Sequence, residues 1–176
     1  MKNIILIGFM GCGKTSVGGK LSRAFGWRFL DTDQLLEEEF GCTISEFFDR
    51  EGEEEFRCRE TQLLKRLCSE PEEMIVSTGG GMPLRTENAA LLKQLGTVFY
   101  LKASEEATIA RLAGDTTRPL LAGDGREEKI RRLLGERAPK YAAASDYIIE
   151  TDGKSFYEII HEVEKVMRRK KAGPGA

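Results

Sequence analysis

Ile4-Ile5-Leu6-Ile7-Gly8-Phe9-Met10-Gly11-Cys12-Gly13-Lys14-Thr15 sets a short apolar run directly before the pattern GxxxxGKT. The run predicts a buried strand. The glycines let backbone N–H groups converge on phosphate oxygens that a Cβ would obstruct, and a helix opening near Lys14 aims its positive end at the same anion. Lys14 is then expected to reach the β and γ phosphates of a nucleoside triphosphate, and Thr15 to offer its hydroxyl to Mg²⁺. An ordinary glycine-rich turn is the competing reading. The strand before the loop and the helix after it argue against that.

Working outward, strand signals recur at Asn3–Ile7, Arg28–Leu30, Met74–Ser77, Thr97–Leu101 and Asp146–Ile149. Helical spacing separates them, at Lys14–Phe25, Ile44–Leu67, Glu87–Leu95, Glu105–Ala113, Glu127–Ala144 and Lys154–Arg169. Such alternation predicts parallel strands joined by crossover helices, with the ligand at the carboxyl ends of the strands. Gly8–Thr15, Asp31–Asp33 and Thr78–Gly81 follow three of those ends, with Lys102 and Thr151 after the other two. The Gly114–Gly125 connection is long for a compact domain and reads as a lid, a binding loop or a disordered segment.

A chain of 176 residues is one domain by size, and a net charge of −2 provides no positive field for nucleic acid. Cys12, Cys42, Cys58 and Cys68 form no CxxC pair, and His161 has none of them near it, so thiolate-metal and redox chemistry are weak readings. Reduced thiols without a signal peptide point to the cytosol, and no segment approaches the roughly 18 apolar residues that span a bilayer. The Arg168–Lys171 run and the residues after it read as a frayed basic tail.

Asp31 and Asp33, two apart after the second strand, can point the same way in extended geometry. One can serve a metal while the other orients an attacking hydroxyl, although an Asp there also caps helices. Gly79-Gly80-Gly81 implies close backbone approach to a small ligand, or a hinge. Arg57 has Glu53 one turn before it and Glu60 one turn after, so its guanidinium is either held between carboxylates or turned toward a ligand. Phe48 and Phe56 read as core, and His161 as a surface histidine. Arg118, directly before Pro119, and Arg137, two residues before Pro139, can neutralise an anion.

These blocks together resemble the shikimate kinase family over nearly the whole chain. The resemblance is carried by Gly8–Thr15 with Ser16-Val17-Gly18, by Asp31-Thr32-Asp33 with Glu37, and by Phe48, Gly52-Glu53, Phe56-Arg57 and Glu60. Ser77–Gly81 and Arg118-Pro119-Leu120-Leu121, followed by Arg137, Pro139 and Tyr141, complete it. It implies an α/β fold of the P-loop kinase type, similar to nucleoside monophosphate kinases, with three α/β/α layers. A five-stranded parallel sheet in order 2-3-1-4-5, a substrate-binding helical region at about 32–61 and a lid at about 113–126 would belong to it. The implied activity is ATP-dependent phosphorylation of the 3-hydroxyl of shikimate by a cytoplasmic monomer, with Mg²⁺ and without nucleic-acid or membrane partners.

Residue by residue, the resemblance implies ATP contacts at Gly11, Cys12, Gly13, Lys14, Thr15, Ser16, Arg111 and Arg118, the last from the lid. Asp33 would be the base, with Lys14 and Arg118 absorbing charge. Arg57, Arg137 and Gly79, Gly80 and Gly81 would hold shikimate, while Thr15 binds Mg²⁺ and Asp31 reaches it through water. Gly19 departs from relatives that carry a longer side chain in the first helix. A gluconate or nucleoside monophosphate kinase of the same architecture, or a regulatory nucleotide-binding module, are the alternatives.

Overall fold

The computed structural model describes residues 3–113 and 125–172. In chain order the described elements are β1 (Asn3–Ile7), α1 (Lys14–Phe25), β2 (Arg28–Asp31), α2 (Thr32–Phe40), α3 (Ile44–Glu51) and α4 (Glu53–Leu67). They continue with β3 (Met74–Ser77), a 3-10 turn (Met82–Leu84), α5 (Thr86–Leu95), β4 (Gly96–Lys102), α6 (Glu105–Leu112), α7 (Arg126–Ala144), β5 (Tyr147–Glu150) and α8 (Phe156–Ala172). All strand pairings are parallel, in the order β2-β3-β1-β4-β5. The expected doubly covered sheet follows from the apolar runs themselves. Ile5 and Ile7 enter one core with Val76 and Val98, and Ile4 and Leu6 enter the other with Ile75 and Phe99. Both faces of these strands are therefore dry, which is why they read as continuous apolar segments.

Helices α1 and α8 cover one face through Val17, Leu21, Val163 and Met167. The helices from α2 to α5, with α7, cover the other. Asn3, 8% exposed, ties the amino edge together, because its side chain donates to Leu95 O at 2.9 Å and accepts from Met74 N at 3.0 Å.

Three expectations change. The helix expected over Ile44–Leu67 is two helices, broken at Gly52, whose φ of 84° and ψ of 165° lie outside any helix. The helix that the capping reading starts near Gln34 begins at Thr32 and runs to Phe40, and Asp31 caps it by accepting from Asp33 N. Arg168–Lys171 belong to α8 and are not a frayed tail, with Lys170 Nζ donating to Thr97 Oγ1 at 3.2 Å. Residues 173–176 and most of the expected lid, Arg118 included, lie outside the described residues. Among the described residues no helix is long and apolar enough to cross a membrane.

Two glycines test this packing in opposite directions. A Cβ on Gly96 would stand 2.3 Å from the Asn3 carbonyl oxygen, which the β1–β4 pairing holds in place, whereas a Cβ on Gly19 meets nothing within 4 Å. Thermal unfolding should show Gly96→Ala destabilised by about 1–3 kcal/mol. Gly19→Ala should be stabilised by about 0.5–1 kcal/mol.

Candidate active site

The phosphate loop joins β1 to α1 through three left-handed glycines, Gly8 (φ 145°), Gly11 (φ 76°) and Gly13 (φ 95°), the last capping α1. The loop is closed on its own lysine: Lys14 Nζ donates to Gly8 O at 2.9 Å and to Phe9 O at 3.0 Å. Gly11, Gly13, Lys14, Thr15, Ser16 and Arg111 line a cleft of about 480 Å³. Arg111 reaches the loop from α6, donating to Gly11 O at 3.4 Å. Cys12 sits differently. Its side chain is buried in the core beneath α1 and α8, with Sγ 3.7 Å from Lys14 Nζ, so only its backbone is available to the cleft.

Asp31 and Asp33 are not on one extended strand as their spacing suggested, because the chain turns into α2 between them. The capping reading of Asp31 holds, and the same carboxylate also reaches Thr15 and Ser77. Its Oδ1 accepts from Asp33 N at 3.1 Å, and its Oδ2 accepts from both Thr15 Oγ1 and Ser77 Oγ at 3.0 Å. With its proton directed at Asp31, the Thr15 hydroxyl keeps its lone pairs for a cation. This set of oxygens suits Mg²⁺, which takes few protein ligands and completes its shell with water and phosphate oxygens. Among the described residues no cluster of three or more His, Cys, Asp or Glu could hold a metal alone.

The glycine run after β3 owes its composition to its neighbours as well as to any ligand. A Cβ on Gly79 would lie 2.2 Å from Asp33 Oδ1, and one on Gly81 would lie 2.3 Å from Arg57 Nη1. Side chains from α2 and α4 therefore press against the turn at its first and third glycines. Gly80 is held from behind, since its carbonyl accepts from Tyr141 Oη of α7 at 2.7 Å. Arg137, one turn before Tyr141, lies over the Phe9 ring at 5.9 Å. Burial pushes the Tyr141 hydroxyl pKa well up, so it stays a neutral donor.

Arg57 is positioned by its own helix. Nη2 donates to Glu53 Oε1 and Nη1 to Glu60 Oε2, both at 2.8 Å. The reading that places it between carboxylates holds, and this paired guanidinium also lines a cavity. Burial opposes the Arg57 charge, yet Glu60 and Glu53 overcome it and raise the guanidinium pKa. Glu60 is fully buried, and burial outweighs the Arg57 attraction to push its carboxyl up to about 7, with the Asp33 charge adding to the rise.

That cavity, about 570 Å³, collects Asp33, Arg57, Arg137 and Gly79 to Gly81. Phe48 and Phe56, expected only as core, also wall it. Phe48 meets Phe56 edge-on with ring centres 4.8 Å apart, and Phe40 stacks on Phe47 at 3.9 Å, so an aromatic cluster binds α2, α3 and α4 into one unit. The Thr43–Glu46 capping box starts α3 at the cavity rim. Met10, Asp33 and Gly80 line both hollows, which therefore meet at Asp33. Ser77, Met10 and Tyr141 were not singled out for chemistry. Ser77 had a signal, as the last residue of a strand ending beside the phosphate loop, whereas Met10 and Tyr141 had only motif membership. His161 lies exposed on α8, stacked near Tyr157.

Comparison with known proteins agrees with this layout. The shikimate kinase family profile matches residues 10–168. A shikimate kinase from Thermodesulfovibrio yellowstonii is 43% identical over 169 residues, covering 96% of each chain. One from Francisella tularensis subsp. holarctica is 37% identical over 162 residues, covering 92% of each. Among solved structures, the Acinetobacter baumannii shikimate kinase in complex with shikimate superposes with a TM-score of 0.88 at 38% identity, covering 95% of this chain and 93% of its own. A deoxyadenosine kinase from M. mycoides shares the fold at a TM-score of 0.62 and 13% identity, covering 94% of this chain and 98% of its own. A phosphate loop running into α1, a capped Asp-Thr-Asp turn and a glycine run shaped around Asp33 and Arg57 are thus assembled in one cleft, and the chain belongs to the shikimate kinase family.

Proposed function

We propose that this chain transfers the γ-phosphoryl group of ATP to the 3-hydroxyl of shikimate, giving shikimate 3-phosphate and ADP. The observation that carries the reading is the junction of two hollows at Asp33, one floored by the phosphate loop and the other flanked by Arg57 and Arg137. Shikimate is a ring alcohol with a carboxylate. In this reading its carboxylate pairs with Arg57 and Arg137 and its hydroxyls face Asp33 and the glycine turn, within reach of the terminal phosphate.

Asp33 orients the 3-hydroxyl and accepts its proton, while Lys14, released from the loop carbonyls, follows the charge on the transferred group. Thr15 would hold Mg²⁺, with Asp31 fixing the Thr15 hydroxyl and reaching the ion through water. Bound there, Mg²⁺ neutralises phosphate charge during transfer. Arg111 covers the nucleotide from α6, and the backbone of Gly11 to Gly13 with Ser16 cradles its phosphates. Arg118, outside the described residues, would absorb charge on the transferred group as the lid arginine that the resemblance implies for about 113–126. The helical region at about 32–61 is the substrate-binding part of a single domain that works as a cytoplasmic monomer.

ADP release measured with shikimate, gluconate and nucleoside monophosphates should show turnover with shikimate; turnover confined to another acceptor would replace the substrate assignment. Asp33→Asn should abolish that turnover while ATP binding, followed by fluorescence of a nucleotide analogue, stays near normal. Surviving turnover would remove the base from Asp33. Arg57→Lys should raise the shikimate KM about 10–100-fold, the worth of one charge-assisted hydrogen bond, and leave the ATP KM unchanged.

A further inference from the structure

Glu60 is a carboxylate of the substrate cavity whose chemistry the proposed reaction leaves unused. It is fully buried, its Oε2 accepts from Arg57, and its Oε1 has no hydrogen-bond partner. A dry carboxylate with one bare oxygen is costly to keep charged. The groups facing it are Arg57 from its own helix, itself shared with Glu53, Asp33 from α2 and Arg85 from the turn before α5. Arg137 of α7 lines the same cavity. Arg85 is engaged outward by Glu54. The cavity sets two arginines, Arg57 and Arg137, against three carboxylates, Asp33, Glu37 and Glu60. A ligand carboxylate makes four anions against two cations.

Arg57 cannot absorb the difference. Three of its five N–H groups are already given, two to Glu53 and one to Glu60, and any donor turned to the ligand is drawn from those or from the remaining pair. We infer that the acceptor substrate's carboxylate enters this cavity together with one proton, taken from solvent by Glu60, so that Glu60 stays in the wall as a neutral acid while Arg57 serves the ligand. No other bond forms or breaks. The proton removes one anion from that excess, and it falls on Glu60 because this carboxylate is fully buried with one oxygen unpartnered. Glu60 in the free protein is already poised for it, since burial lifts its carboxyl to about 7. The sole histidine of the chain, His161, lies on exposed α8 and cannot substitute.

The inference rests on the shikimate reading, and one experiment separates their failures. Shikimate is titrated calorimetrically into the full chain with MgADP present, in buffers of differing ionisation enthalpy, at pH 6 and pH 8. At pH 8 the heat should depend on the buffer and report uptake of about 0.5–1 proton, falling toward zero at pH 6, where Glu60 is already protonated. The shikimate Kd should rise about tenfold per pH unit above neutrality until the bound-state pKa is reached. Glu60→Gln should abolish the buffer dependence and flatten the pH profile, while a merely structural role for Glu60 would weaken binding equally at both pH values. Buffer-independent heat at pH 8, or uptake that persists in Glu60→Gln, overturns the inference and leaves the substrate assignment standing. Absence of binding at pH 6 overturns both. Should the variant fail to fold, the wild-type buffer series decides alone.

Discussion

The position of β3 between β1 and β2, paired parallel to both, is the constraint from which the site follows. Parallel pairing brings the carboxyl ends of the three strands to one edge, with Ser77 in register with both Leu6 and Asp31. Chain segments far apart in sequence are thereby delivered side by side: the phosphate loop after β1, the aspartate turn after β2 and the glycine run after β3. The hydrogen bonds that join them are short-range consequences of this placement. Ser77 and Thr15 meet on Asp31, Thr32 Oγ1 accepts from Gly79 N at 2.9 Å, and Thr78 N donates to Leu6 O at 3.1 Å.

Electrostatics and sterics then divide the work at that edge. The nucleotide end is open and polar, supplied with backbone N–H groups, a lysine and a helix terminus. The acceptor end is drier and walled by phenylalanines, so each charge in it needs a partner. Arg57 is bracketed by Glu53 and Glu60, and Asp33 packs against the α-carbon of Gly79. Such pre-arrangement matters for phosphoryl transfer, in which positioning and charge neutralisation supply most of the rate.

Much of this was legible before folding because it depends on local spacing. The phosphate loop is contiguous, so eight residues carry its chemistry, and the Glu53–Arg57–Glu60 pairing needs only helical periodicity over two turns. The Ile44–Leu67 region misled for a local reason: charged residues flank Gly52 with helical spacing, and only its positive φ shows that the chain turns there. The start of helix α2 was hidden because Asp31-Thr32-Asp33 reads equally well as the end of a strand or the start of a helix. The glycine run was legible as a place of close approach. What approaches it was not, because Asp33 and Arg57 arrive from other helices.

The sequence by itself determined a nucleotide-binding α/β chain with a parallel sheet and named most of the residues at its strand ends, since motif and periodicity act over a few residues. The tertiary structure alone decided that two hollows share Asp33, that Tyr141 braces the Gly80 carbonyl and that Glu60 is buried with one oxygen bare. Those facts depend on how α2, α4 and α7 pack over one edge of the sheet. Burial and the distance between charges on different helices exist only once that packing is complete.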